Sequence, residues 1–166
     1  MASQAFETFS HVIQDSVDLI NHFDVLNRQL PPPEIEVLKR ASLVMALAAL
    51  ETYFEDRIAE AVDATCAQSR AEDRLKTFYK QALEVELKSF HSPNVDRVKL
   101  LFTKYLNLDV TEGWSWNNCN PEQAKIELDR IVKKEATSRT GHYAHYQVKL
   151  RPMQSKRTTC VSIYIS

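Results

Sequence analysis

The sequence predicts an all-α bundle of about five helices, and three observations carry that prediction. Apolar residues recur at steps of three and four through most of the 166-residue chain. Only two glycines occur, Gly113 and Gly141, whereas a β-rich chain needs glycine at many of its turns. The strong breaks (31–33, 91–94 and 120–121) carry proline beside capping residues and divide the chain into helix-sized pieces.

The first helix is expected from about Ser3 to Arg28. Phe6, Phe9, Ile13, Val17, Ile20 and Phe23 fall on one face, with Glu7, Gln14, Asp18 and Asn21 largely opposite. Pro31-Pro32-Pro33 ends it, and Pro33 suits the first position of the next helix. That second helix, about Glu34 to Cys66, is apolar all round from Leu43 to Leu50, so it reads as the central, buried one. A third helix is expected over about Ala71 to Phe90, with Leu75, Phe78, Ala82 and Val85 turned inward. Ser92 or Asn94 then caps a fourth, Val95 to Leu106, which buries Val98, Leu101, Phe102 and Tyr105. A loop with Trp114 and Trp116 follows. Asn120, Pro121 and Glu122 read as N-cap, first-turn proline and acidic first turn of a fifth helix holding Ala124, Leu128, Ile131 and Val132.

After Lys134 the helical period is lost. Residues 158–165 are β-branched and aromatic, which favours a short strand with no evident partner. The organisation expected is a helical domain over 1–134 and an atypical segment over 135–166.

Composition narrows the function. The 21 basic and 22 acidic residues leave a net charge of −1, so attraction of nucleic acid must come from a local patch. No apolar run approaches the roughly 20 residues of a membrane span, and the N-terminus lacks a signal-peptide pattern, which points to the cytoplasm. Cys66, Cys119 and Cys160 are widely spaced, form no CxxC, and read as isolated thiols. With no glycine-rich phosphate loop and no metal-ligand spacing, neither cofactor nor metal is expected.

The strongest chemical candidate is Arg139 with His142 and His145. Histidine exchanges a proton with a ribose hydroxyl near neutral pH, and arginine holds a phosphate and the charge developing on it. Those two residue types suffice for metal-free RNA cleavage, because the 2′-hydroxyl is the nucleophile. The competing reading is a polar, solvated tail. Trp114 and Trp116 either stack on bases or, as is commoner, pin their loop to the core. Glu51, Glu55 and Asp56 read as a charged helix face, and His11 and His22 have no partner motif.

Three segments taken in order carry a resemblance. They are residues 43–56 (LVMALAALETYFED), residues 91–106 (HSPNVDRVKLLFTKYL), and Trp114 followed by residues 126–132 (IELDRIV). Together they resemble the RiboL-PSP-HEPN branch of the HEPN superfamily, over about Val37 to Lys134. The resemblance implies an all-α domain that forms a homodimer and cleaves RNA without metal. It also implies a toxin–antitoxin or anti-phage setting with an antitoxin or defence partner protein. Other members only bind RNA or nucleotides, so a non-catalytic helical RNA-binding or protein-interaction module is the alternative.

In that branch the last helix leads directly into Arg-x(4–6)-His. Arg139 and His145 satisfy the loose motif and are the catalytic candidates. They stand later than the family places them, with Gly141 between them, and the expected arginine position holds Glu135. Restoring one base before the Glu135 codon lets residues 135–140 read Arg-(Ser/Gly)-(Asp/Asn)-Ile-Ala-His, which is the family motif in its family place. The expectation is therefore that 135–166 is a shifted reading frame and that the chain is catalytically impaired.

Overall fold

A computed structural model of the chain describes residues 3–27, 33–115, 118–139, 148–151 and 162–165. Helix α1 (Gln4–Leu26) starts because Ser3 is extended and its Oγ accepts from the Phe6 N–H at 3.3 Å. The same hydroxyl donates to Glu60 Oε2 at 2.7 Å, and the Ala5 N–H donates to Glu60 Oε1 at 2.7 Å. One carboxylate on the next helix thus fixes where the first one begins.

A 3-10 turn at Pro33–Ile35 leads into α2 (Glu36–Gln68), so α2 begins slightly later than the sequence predicts. Its 33 residues form the spine of the molecule. Helix α1 packs along much of α2, α5 against its first half, and α3 and α4 against its second half. Leu43, Ala46, Leu47 and Ala49 are buried as expected, but Val44 is 43% exposed and Ala48 is exposed too, so the apolar stretch keeps an open side. Where α1 crosses α2 the contact is polar at its centre. Ser16 Oγ donates to the Ser42 carbonyl at 2.7 Å and Ser42 Oγ to the Ser16 carbonyl at 2.9 Å. Both serines are fully buried, and their small size lets the two backbones approach.

Helix α3 (Asp73–Leu87) corrects one expectation. Leu75, Phe78 and Val85 point outward, at 59%, 67% and 67% exposure, and only Ala82 of the predicted inner face packs against the core. The inward face is instead Tyr79, Leu83 and Leu87. Two bonds explain the rotation: the Tyr79 hydroxyl donates to the Tyr105 carbonyl, and the Tyr105 hydroxyl to the Ala82 carbonyl at 2.9 Å.

Helix α4 (Val95–Leu106) has the predicted limits. Asn94 is its cap, accepting from the Arg97 N–H at 2.9 Å. Val98, Leu101, Phe102 and Tyr105 are buried against Phe54, Ile58 and Val62 of α2. A second 3-10 turn (Val110–Gly113) carries the chain to α5 (Pro121–Arg139). Asn120 and Gln123 cap α5 reciprocally, each side chain accepting from the other's backbone N–H at 2.9 and 3.0 Å. The helix runs on through Lys134 and Glu135 to Arg139.

The C-terminal strand is not alone, as the sequence implied it would be. Strand β2 (Ser162–Ile165) pairs antiparallel with β1 (Val148–Arg151), Val148 opposite Ile165. The all-α domain thus carries a two-stranded ribbon. Among the described residues no helix is long and apolar enough to cross a membrane.

Candidate functional site

The segments that lead toward the candidate motif lock onto one another. On α2, Glu51 Oε2 accepts the Ser92 N–H at 2.9 Å, and its Oε1 lies 3.5 Å from His91 Nδ1. Ser92 has a φ of 56°, an unusual conformation for serine that the Glu51 contact helps hold. The Arg97 guanidinium donates to the His91 carbonyl and closes the loop from the other side. Asp129 on α5 reaches the same region, its Oδ1 accepting the Val95 N–H at 3.0 Å at the first turn of α4. A carboxylate there satisfies an orphan N–H and sits well against the helix dipole.

Trp114 is half-buried and stacks on Phe54 of α2, with ring centroids 6.0 Å apart and planes at 27°. That is the pinning role expected for it; Trp116 lies outside the described residues. The turn before Trp114 is held by Asp109, which accepts from Thr111 N at 3.0 Å and Oγ1 at 2.6 Å and pairs with Lys99 at 2.6 Å.

The carboxylates Glu55 and Asp56 are half-buried on α2. Burial, then the negative charges of Glu51 and Asp56, raise the Glu55 pKa, and His91 partly opposes this. Burial, then Glu60, raises that of Asp56. These are charged groups crowded on one helix face, and among the described residues no set of three His, Cys, Asp or Glu side chains is placed to hold a metal ion. Cys66 and Cys119 are buried free thiols, and Cys160 lies outside the described residues.

Helix α5 carries the approach to the motif. Leu128 and Ile131 are buried, and Ile131 and Val132 join the cluster made with Leu43, Ala46, Leu47, Ile13 and Ile20. Glu135 stands a turn beyond Ile131 on the same face and is itself buried, at 6% exposure. Lys134 has its pKa lowered, chiefly by burial and then by Arg130. Arg139 is the last residue of α5. His142 and His145 lie outside the described residues, so the pairing of Arg139 with His145 stands as the sequence proposes it. Sequence reasoning missed Glu51 and Asp129 as the ties that position α2, α4 and α5. Their only signal was a carboxylate one or two helices away from a Ser-Pro-Asn turn.

A family model for RiboL-PSP-HEPN matches residues 11–134. The chain belongs to that family. The match ends on Lys134, the residue before buried Glu135. No curated protein and no solved structure matches the chain. HEPN proteins often act on RNA and form dimers, and membership ties this chain to RNA- or nucleotide-related work.

Proposed function

We propose that this chain is a cytoplasmic, RNA-acting HEPN protein of toxin or anti-phage type, a metal-independent endoribonuclease by descent and catalytically impaired as it stands. One observation carries the reading: the family match runs to Lys134, and the next position, where the resemblance implies the motif's arginine, is a buried glutamate. A carboxylate there repels a phosphate that an arginine would hold. In the intact motif, histidine removes the 2′-hydroxyl proton as that oxygen attacks the phosphorus. Arginine stabilises the charge on the phosphate oxygens, and the 5′-oxygen departs with a proton. Arg139 and His145 are the residues in this chain that retain those chemical types. The partners on this reading are RNA, a second copy of the chain, and an antitoxin or defence protein.

The cause proposed for the departure is a lost base before the Glu135 codon. The gene sequence across codons 130–166 tests it. A frame that reads Arg-x(4)-His after one base is restored supports the shift, and a frame that offers no such reading removes it. Activity is tested with purified chain, its His145→Ala variant and the frame-restored protein on RNA with a metal chelator present. Residual cleavage that is unchanged in His145→Ala overturns the assignment of His145. A second reading, a non-catalytic interaction module, draws on the exposed apolar side of α3, and no cleavage by either parent or restored protein favours it.

A further inference from the structure

Charge is divided unevenly along the chain. Residues 136–166 hold five basic residues (Arg139, Lys149, Arg151, Lys156 and Arg157) and no aspartate or glutamate. The other 16 basic residues and all 22 acidic ones lie in the first 135 positions, which carry −6 against the chain's −1. The helical body therefore repels a polyanion, and the segment after it supplies the local patch that attraction requires. The family match ends at Lys134, so this patch lies outside it.

The ribbon sorts part of that charge onto one face. Strand β1 runs beside α1, and β2 beside α5, the helix that ends in Arg139. In the antiparallel register Val148 stands opposite Ile165, Lys149 opposite Tyr164, Leu150 opposite Ile163 and Arg151 opposite Ser162. Successive residues of a strand alternate between its two faces. Val148, Leu150, Ile163 and Ile165 thus share one face of the ribbon, and Lys149, Arg151, Ser162 and Tyr164 share the other. Lys149 and Arg151 are two residues apart, about 7 Å along the strand, a step comparable to that between successive phosphates of an extended nucleic-acid strand.

We propose that the face carrying Lys149, Arg151 and Tyr164 binds single-stranded RNA, the two cations holding adjacent phosphates and the tyrosine stacking on a base. A single strand fits this face better than a duplex, because only an unpaired base can lie on an aromatic ring. An anionic membrane fits it less well. Membrane contacts need apolar residues among the cations, and the register puts those on the opposite face. The contact deepens the RNA part of the proposed function and rests on RNA being the partner. It depends neither on the cleavage chemistry nor on how the segment arose.

Fluorescence anisotropy of a labelled oligouridine strand, titrated with the full chain at several salt concentrations, tests the proposal. Lys149→Thr with Arg151→Thr keeps strand propensity. It weakens binding by at least about tenfold and lowers the salt slope by about 1.4, since each phosphate contact on a single strand contributes about 0.7. Tyr164→Val weakens binding about fivefold or more and leaves the slope unchanged, as loss of a stacked base does. The exchange Lys149→Arg with Arg151→Lys retains binding and the parent's slope, which separates lost charge from a lost strand. Equal losses from the ribbon pair and from Lys156→Gln with Arg157→Gln, with none from Tyr164→Val, mean diffuse attraction and overturn the face. Binding that every variant leaves unchanged overturns the ribbon site while RNA remains the partner. A parent chain that ignores oligouridine overturns both, and one that binds phosphatidylserine vesicles instead assigns the face to a membrane.

Discussion

The two halves of α2 are packed by different means. The half toward α3 and α4 is closed by large side chains: Phe54, Ile58, Val62, Phe90, Phe102 and Tyr105 share one cluster. The half toward α5 is closed by Leu43, Ala46, Leu47 and Ile131, with two serines bonded where α1 crosses it. Among the described residues, the cluster at the thick end includes no side chain from beyond Lys134. The thin end holds α5, and through α5 the approach to the proposed motif. A change after Lys134 therefore falls outside the large-side-chain cluster of the thick end.

That contrast is broken or sharpened most strongly by paired truncations. Ile58→Ala empties the thick end and should cost about 3–4 kcal/mol, whereas Ile131→Ala in the thin end should cost about 2 kcal/mol, because a small cluster collapses more readily into the space. Denaturant unfolding of both variants checks the order, and equal losses would erase the distinction between the two ends. A smaller effect is expected at the helix crossing. Ser42→Ala removes the bond to the Ser16 carbonyl and leaves the Ser16 hydroxyl its bond to the backbone carbonyl of residue 42, at about 1–2 kcal/mol. A neutral result there would mean that shape alone holds α1 on α2.

The smallest effect is electrostatic and belongs to the tryptophan loop. Lys99 first, then Thr111, hold the Asp109 pKa down to about 2 from its ordinary 3.8. The folded state thus prefers the charged form, so this contribution is present above about pH 3.8 and is lost as pH falls toward 2. Asp109→Asn should flatten the change in tryptophan fluorescence across that window. An acid transition of unchanged shape would remove Asp109 from the account.

Much of the fold was legible because the signals were local. Asn94 and Asn120 announce the starts of α4 and α5, and the apolar spacing of α4 has a single solution. Helix α3 was misread because it has two apolar stripes, and periodicity cannot choose between them. The choice is made by the Tyr79 and Tyr105 hydroxyls, each of which needs a carbonyl on the other helix. The partner of the last strand was missed because ten residues of sequence separate Val148–Arg151 from Ser162, and Pro152 alone does not tie the two. In the site, a glutamate on a helix looks the same in sequence whether water or a remote backbone N–H receives it. Glu51 and Asp129 were therefore invisible as ties, while Glu135 stood out against the pattern the resemblance implies.

The central claim is that the helical body is a competent HEPN scaffold whose catalytic motif is disrupted after Lys134. The most direct test restores one base before the Glu135 codon and compares RNA cleavage by the restored and present proteins under chelating conditions. Cleavage by the restored protein is expected to exceed that of the present chain by about 10²–10⁴-fold, the scale of positioned acid–base catalysis. Equal rates, with the restored protein folded, would contradict it.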